Sequence, residues 1–387
     1  MITVVEALNI LNNISIRKSE ITLPLHLVNN YILSQDVFSP INMPPFRQSA
    51  MDGFAIQTDE NNSYKIIGEI KAGDTENIKL SKGQSVKIFT GAKVPDDANA
   101  VIQIEKCSVN ESILTIEIEP KINQNIRPIG EQIFINDIAL SKDTLLNPAA
   151  IGFLAGLGIT EVKVYKKPSV GIIVTGNELI EPGIPLPDGK IYESNGIMLQ
   201  MALSELTSEI QVYKVFDEYQ ATKQVIENAI AIHDVVLISG GISVGDYDFV
   251  YDSLQVIGVQ TLFYKVNQKP GKPLFAGTFN DKVILALPGN PAASLTCFYI
   301  YVHPILKKIA GNSKTTSTAI KELSHDFVVD NPRSQFLKAN YLDATVSVLS
   351  HQQSSMLNTF ALANCLIYLP EGNYELKKGS KVDIYHI

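Results

Sequence analysis

The sequence predicts a multidomain chain of mixed α/β and β architecture: a doubly wound α/β domain, a helical segment, an inserted β domain and a C-terminal β domain. Three observations predict it. Between Pro168 and about Ala310, apolar strand-like runs alternate with helical patterns three times, as in a parallel, doubly wound sheet. From Met51 to about Ile133 the chain consists of short β-branched runs separated by turn residues. From about residue 318 to the end it reverts to short strands.

Taken in order, residues 1 to about 36 pattern as amphipathic helix, with Val4, Val5, Leu8, Ile10 and Leu11 near helical spacing and a second short helix starting at Pro24 to Val28. Prolines 40, 44 and 45 then turn the chain. Tyr64 to Ile67, Ser85 to Phe89 and Leu114 to Ile118 read as strands of the β unit. Leu145 to Leu157 returns to helical texture, so the β unit reads as an insertion. In the α/β part, Val170 to Val174 leads to a helix at about Asn195 to Leu206. Val235 to Ser239 leads to one at Phe249 to Val256, and Val283 to Leu287 to one at Ala292 to Ile309. Asn290 is a good N-cap and Pro291 a good first helical residue after the Pro288-Gly289 turn. Phe327 to Val329 and Lys381 to Ile384 are strands of the last part. The expected boundaries are 1–42 with 135–165, 43–134, 166–314 and 315–387.

Composition narrows the function. The 387 residues suit two to three domains at roughly 150 residues each. With 32 Lys+Arg against 40 Asp+Glu, the formal net charge is −8, which argues against a general nucleic-acid or membrane-surface binder. Three scattered cysteines, Cys107, Cys297 and Cys365, make neither a disulfide framework nor a CxxC metal site and suit a reducing cytoplasm. The N-terminus does not read as a signal peptide, and the longest apolar run, Ala149 to Ile159, is too short to span a bilayer. The six histidines show no paired metal spacing, and His303, before Pro304, reads as a helix-surface residue.

Open parallel sheets bind ligands beyond the carboxyl ends of their strands, so the loops there matter most. They read Thr175-Gly-Asn-Glu-Leu179, Ser239-Gly-Gly-Ile-Ser-Val-Gly-Asp-Tyr-Asp248 and Leu287-Pro-Gly-Asn-Pro291. A single glycine turn is ordinarily a tight turn and nothing more. Three on one sheet edge, the last opening a helix, suggest a phosphate or nucleotide site. Glu178, Asp246 and Asp248 in these loops serve either as turn residues or as hard oxygen ligands for Mg2+. Between the loops, Lys265, Lys269 and Lys272 fall within eight residues, stiffened by Pro270 and Pro273. That stretch is either a solvated turn or a local oxyanion site.

Together the stretches PPFRQSAMDGFAI, IFTGAKVP, NIRPIGEQI, GIIVTGNELI, IYESNG, LISGGISVGDYDF, KPGKPLFAG, LPGNPAAS and SSMLNTFALANCLIYLP resemble the molybdopterin molybdenumtransferase (MoeA and gephyrin E-domain) family. They run in order from residue 44 to residue 370. The resemblance implies a cytoplasmic homodimer that transfers molybdate to the dithiolene of adenylylated molybdopterin, with Mg2+-dependent hydrolysis releasing AMP. It implies a molybdopterin adenylyltransferase as upstream partner, and neither nucleic acid nor membrane.

Carried over by position, Thr175, Ser194, Asn195, Gly240, Gly241, Ser243, Gly245, Pro288, Gly289, Asn290 and Pro291 would line the pterin and nucleotide site. Glu178, Asp246 and Asp248 would hold Mg2+. Lys269, Lys272 and Pro273, completed by Arg333 and Ser354, would take molybdate, with Lys265 nearby for phosphate. Thr90, Asp52 and Asp217 match family positions implicated in activity. The chain departs from many relatives at Arg47 and Gln132, where an Asp is common, so no carboxylate role passes to either. A stand-alone adenylyltransferase or a non-catalytic scaffold of the same fold are the alternatives. Residues 1–165 and 318–387 argue against the first, and the lack of a fused domain or long linker against the second.

Overall fold

The computed structural model describes residues 1–242, 249–312, 316–329 and 332–387. The chain divides into two compact units, Thr22–Lys163 and the remainder, Met1–Ile21 with Val164–Ile387.

Thr22–Lys163 is built on a six-stranded sheet in the order Ala100–Gln103, Gly53–Ile56, Gln84–Ile88, Ser63–Ile70, Ile113–Ile116 and Cys107–Asn110. Its side chains alternate between two apolar clusters: Phe54 and Ile56 join Tyr64, Ile102 and Leu114, while Ala55 joins Ile70, Val86 and Ile88. The one α-helix of this unit among the described residues, Pro148–Gly156, starts where Asn147 Oδ1 accepts the Ala150 N–H at 2.9 Å with Pro148 in the first turn.

The larger unit opens with helix Val4–Asn13, nucleated by a capping box. Thr3 Oγ1 accepts the Glu6 N–H at 3.2 Å, and Glu6 Oε2 accepts the Thr3 N–H at 2.8 Å. Helical pattern does not persist to residue 36. Glu20–Pro24 is a strand and Leu25–Leu27 a single 3-10 turn, as Pro24 and the β-branched Ile21 and Thr22 favour. The central sheet runs Glu209–Val215, Ser169–Thr175, Val235–Ser239, Lys282–Leu287, Phe275–Phe279 and Gln260–Tyr264. The first four strands are parallel, as expected of a doubly wound sheet. Of the last two, Phe275–Phe279 runs against the others, because it returns directly into Lys282–Leu287 through a hairpin too short for a crossover helix, and Gln260–Tyr264, antiparallel to Phe275–Phe279, runs with the first four. Ser169–Thr175 and Val235–Ser239 are buried throughout, since the sheet carries an apolar cluster on each face. The helix expected over 292–309 forms, but Phe298–Val302 in its middle is π-helical between Pro291–Cys297 and His303–Ile309. Pro304 has no N–H to give to the i−4 carbonyl, a cause of such a bulge.

The C-terminal part forms a second sheet, Ser334–Leu342, Thr345–Val348, Thr318–Leu323, Lys381–His386 and Cys365–Leu369. Pairing of Cys365–Leu369 back onto Ser334–Leu342 closes it into a barrel. Leu337, Ala339, Val346, Ile367 and Ile384 fill its core. The fold class read from the sequence, mixed α/β and β, is the one observed.

Candidate functional site

The order of the central sheet reverses beside Ser169–Thr175. The chain leaves that strand for Glu209–Val215 on one side and returns to Val235–Ser239 on the other. This is the topological switch point, where two adjacent loops leave in opposite directions and open a crevice. A cleft of about 620 Å3 lies there, lined by Thr175, Glu178, Ser194, Asn195, Asp217, Gly240, Gly241, Pro288, Gly289, Asn290 and Pro291, together with Pro273. The sequence also assigned Ser243, Gly245, Asp246 and Asp248 to this region, and these four lie outside the described residues.

Buried polar groups shape the cleft. Asn195 Nδ2 donates to Ser239 Oγ and to the Gly289 carbonyl, both at 2.8 Å, joining the loops of two strands. Asn195 Oδ1 and Thr175 Oγ1 are buried and have no hydrogen-bond partner among the described residues. Leaving such an atom unsatisfied costs about 1–3 kcal/mol, so both are poised for a ligand's polar groups. Gly240 has φ +95°, and a Cβ there would meet the Thr175 carbonyl O and Oγ1 at 2.8 Å, so only glycine allows this approach.

Glu193, in the IYESNG stretch, was missed by sequence reasoning. Only 4% exposed, it lines the cleft while its Oε1 accepts the Gly196 N–H at 2.7 Å and caps the helix Asn195–Leu203, whose N-cap Ser194 makes no side-chain capping bond. Its signal was a carboxylate directly before two residues already assigned to the site.

A second cavity of about 270 Å3 shares Pro273, Pro288 and Asn290 with the first. Its wall carries Lys269, Lys272, Arg333, Gln352 and Ser354. Strand pairing assembles it: Gln268 and Lys269 lie in parallel register with Ser334 and Gln335 of the barrel, which brings Arg333 to the lysine loop. Gln268, fully buried, ties that loop down. Its Nε2 donates to the carbonyls of Pro270 at 3.1 Å and Gly271 at 3.2 Å, while its Oε1 accepts the hydroxyl of the buried Tyr301. Gly271, at φ +88°, lets the backbone lie against Cys297 and Gln268, since a Cβ would fall 2.5 Å from the Cys297 sulfur. Asn290 stands at the N-cap position of Pro291–Cys297 without capping it. Its Nδ2 donates instead to Ser354 Oγ at 3.1 Å.

Lys265 lines neither cavity, and its ammonium sits over the Tyr264 ring, 4.5 Å from the centroid. Asp217 Oδ2 accepts the Asn177 N–H at 3.1 Å and its own N–H donates to Asn177 Oδ1, which aligns it with the Glu178 loop. In the other unit, Thr90 donates its N–H and its hydroxyl to Asp52 Oδ1 at 2.7 and 2.8 Å. These bonds, the backbone one foremost, hold the Asp52 carboxyl below its ordinary pKa. Arg47 donates to the Asp96 and Ala98 carbonyls and so braces a turn, while Gln132 is exposed. His303 is a correction: it is half-buried beside Phe298 and Tyr299, and burial pulls its pKa down to about 4. Among the described residues no group of three or more His, Cys, Asp or Glu could hold a metal ion, and no helix is long and apolar enough to cross a membrane.

Residues 2–158 match the family described as "MoeA N-terminal region (domain I and II)". Residues 171–308 match "Probable molybdopterin binding domain" and residues 322–387 match "MoeA C-terminal region (domain IV)". The molybdopterin molybdenumtransferase of Staphylococcus aureus (strain MSSA476) is 34% identical over 397 residues, spanning 99% of this chain and 95% of the relative. That of Staphylococcus epidermidis (strain ATCC 12228 / FDA PCI 1200) is 33% identical with the same coverage. The solved molybdopterin biosynthesis moeA protein from Pyrococcus horikoshii OT3 superposes with a TM-score of 0.85 at 28% identity, covering 100% of both chains.

Proposed function

The chain belongs to the molybdopterin molybdenumtransferase family, an enzyme of molybdenum insertion in molybdenum-cofactor biosynthesis, and on that premise we propose how its two cavities divide the work. Molybdopterin-AMP lies in the larger cleft, with its polar edges on Asn195 Oδ1 and Thr175 Oγ1 and its phosphates over the Gly240-Gly241 turn. Molybdate lies in the smaller cavity against Lys269, Lys272 and Arg333. The observation that carries this reading is the junction: Pro273, Pro288 and Asn290 belong to both cavities, so a dithiolene in one reaches an oxyanion in the other.

Reaction consists of replacing one molybdate oxygen by the two dithiolene sulfurs, that oxygen leaving as water with the two thiol protons, and of hydrolysing the phosphoanhydride, with water adding to phosphorus and AMP departing. The side chains contribute positioning and charge. Asn195 and Thr175 orient the pterin nucleotide, and the lysine and arginine cations offset the negative charge of two anions brought together. Glu178 is a hard oxygen donor on the cleft wall, fit for Mg2+ beside phosphate, and with Asp246 and Asp248 it would hold that ion. Bound there, Mg2+ would neutralise phosphate charge as the anhydride breaks. Family membership also supports a cytoplasmic homodimer, supplied by a molybdopterin adenylyltransferase, and a division of the chain into four domains.

Purified protein given molybdopterin-AMP, Mg2+ and molybdate should release AMP and reconstitute a molybdenum-free apoenzyme. Lys269→Ala with Lys272→Ala should raise the molybdate concentration for half-maximal AMP release more than tenfold, with molybdopterin-AMP binding changed by less than about threefold. Equal loss of both affinities would overturn the division between cavities, and ATP consumption without molybdate would favour an adenylyltransferase.

A further inference from the structure

Behind the wall of the smaller cavity lies a charged group that no role above uses. Lys338 sits in the barrel strand Ser334–Leu342 and is only 3% exposed. Its ammonium donates to three backbone carbonyls of one segment: His351 at 2.8 Å, Gln353 at 3.3 Å and Met356 at 2.8 Å. An ammonium has three N–H donors, so this site satisfies all of them. Among the described residues no carboxylate pairs with it. The backbone of the same residue is clamped too, for Gln352 Oε1 accepts the Lys338 N–H at 2.9 Å and Gln352 Nε2 donates to the Lys338 carbonyl at 2.8 Å.

The segment so held contributes Gln352 and Ser354 to the smaller cavity and Ser355 to the larger. The anchoring also has an electrostatic consequence. Carbonyl oxygens carry negative partial charge and would repel an oxyanion if they faced it. Lys338 turns those of residues 351, 353 and 356 toward itself, and the Ala293 N–H takes the Ser354 carbonyl at 3.2 Å. Burying an ammonium without a counter-ion is costly, which is why desolvation holds the Lys338 pKa below its ordinary value. A purely structural tie could be made by a neutral amide, as Gln268 does for the facing lysine loop.

We propose that Lys338 is a positioning residue for oxyanion binding: it holds the 351–356 segment with its carbonyls turned inward and its Ser354 side toward the anion. This rests on reading the smaller cavity as the molybdate site, and the experiment separates the two claims.

AMP release from molybdopterin-AMP is measured against molybdate concentration for the full-length wild type, Lys338→Met, Lys338→Arg and Lys269→Ala/Lys272→Ala, with melting temperatures for each. Lys338→Met should raise the half-maximal molybdate concentration about ten- to a hundredfold, the range for losing hydrogen bonds to a charged group. The KM for molybdopterin-AMP should stay within about twofold, and Lys338→Arg, which keeps charge and donors, should recover part of the loss. If the double lysine variant shifts molybdate and Lys338→Met does not, the positioning role is overturned while the site stands. If the double variant leaves molybdate unchanged, the site reading itself fails. A parallel rise in both substrates' requirements for Lys338→Met would mark a general structural role and overturn the proposal. Should Lys338→Met not fold, Lys338→Gln carries the same expectations.

Discussion

His303 shows how one buried ring sets a pH response. Its surroundings of Phe298 and Tyr299 penalise the imidazolium, and Lys307 adds a like charge, so its folded pKa falls to about 4 from 6.5. Below pH 6.5 the unfolded chain takes up a proton that the folded chain refuses. Stability from this group is therefore complete above about pH 6.5 and is lost as the pH falls toward 4, by an amount on the order of 3 kcal/mol. Melting temperatures measured from about pH 7 to about pH 5 should fall in the wild type and fall less steeply in His303→Gln. Parallel curves would show that other groups govern acid sensitivity. The sequence placed this residue on the surface of the helix expected over 292–309, where a lone histidine before Pro304 carries no sign of burial. Its burial depends on the rings of Phe298 and Tyr299, which stand in the π-helical stretch just before it.

At the level of the element, the strand-to-loop junctions carry the site. Gly240 ends Val235–Ser239 in a left-handed conformation against the Thr175 backbone. Gly240→Ala should cost about 1–3 kcal/mol from the positive φ and displace Thr175. Titration with AMP should show weaker binding than in the wild type, whereas Gly83→Ala, at φ +75° in the other unit with open space around its Cβ, should lose stability alone. Such junctions are legible because glycine, proline and asparagine announce them locally. What Asn290 does there is not legible: residue type suits it to cap a helix, and its amide instead reaches Ser354, 64 residues away. Glu193 was passed over for the same reason, since its role depends on the helix it caps and the cleft it faces.

For the whole molecule, two compact units with separate apolar cores predict unfolding that is not two-state. Ile88→Ala, in the core of Thr22–Lys163, and Leu285→Ala, at the centre of the parallel sheet, should each cost about 2–5 kcal/mol. Calorimetry should show each variant moving a different transition, and a single transition moved equally by both would refute independent units. The alternation of strands and helices, the β-branched texture of 51–133 and the glycine-rich strand ends lie in short stretches of chain. From them the sequence by itself determined the fold class, the sheet edge at which the cleft opens and the family. Tertiary structure alone decided that one strand of the central sheet, Phe275–Phe279, runs against the others, that the barrel brings Arg333 and Ser354 to the lysine loop, that Lys265 stands apart, and that a buried Lys338 braces the wall. Periodicity and turn chemistry are local properties, whereas strand register between distant segments and the burial of a polar group depend on which surfaces the packed chain brings together.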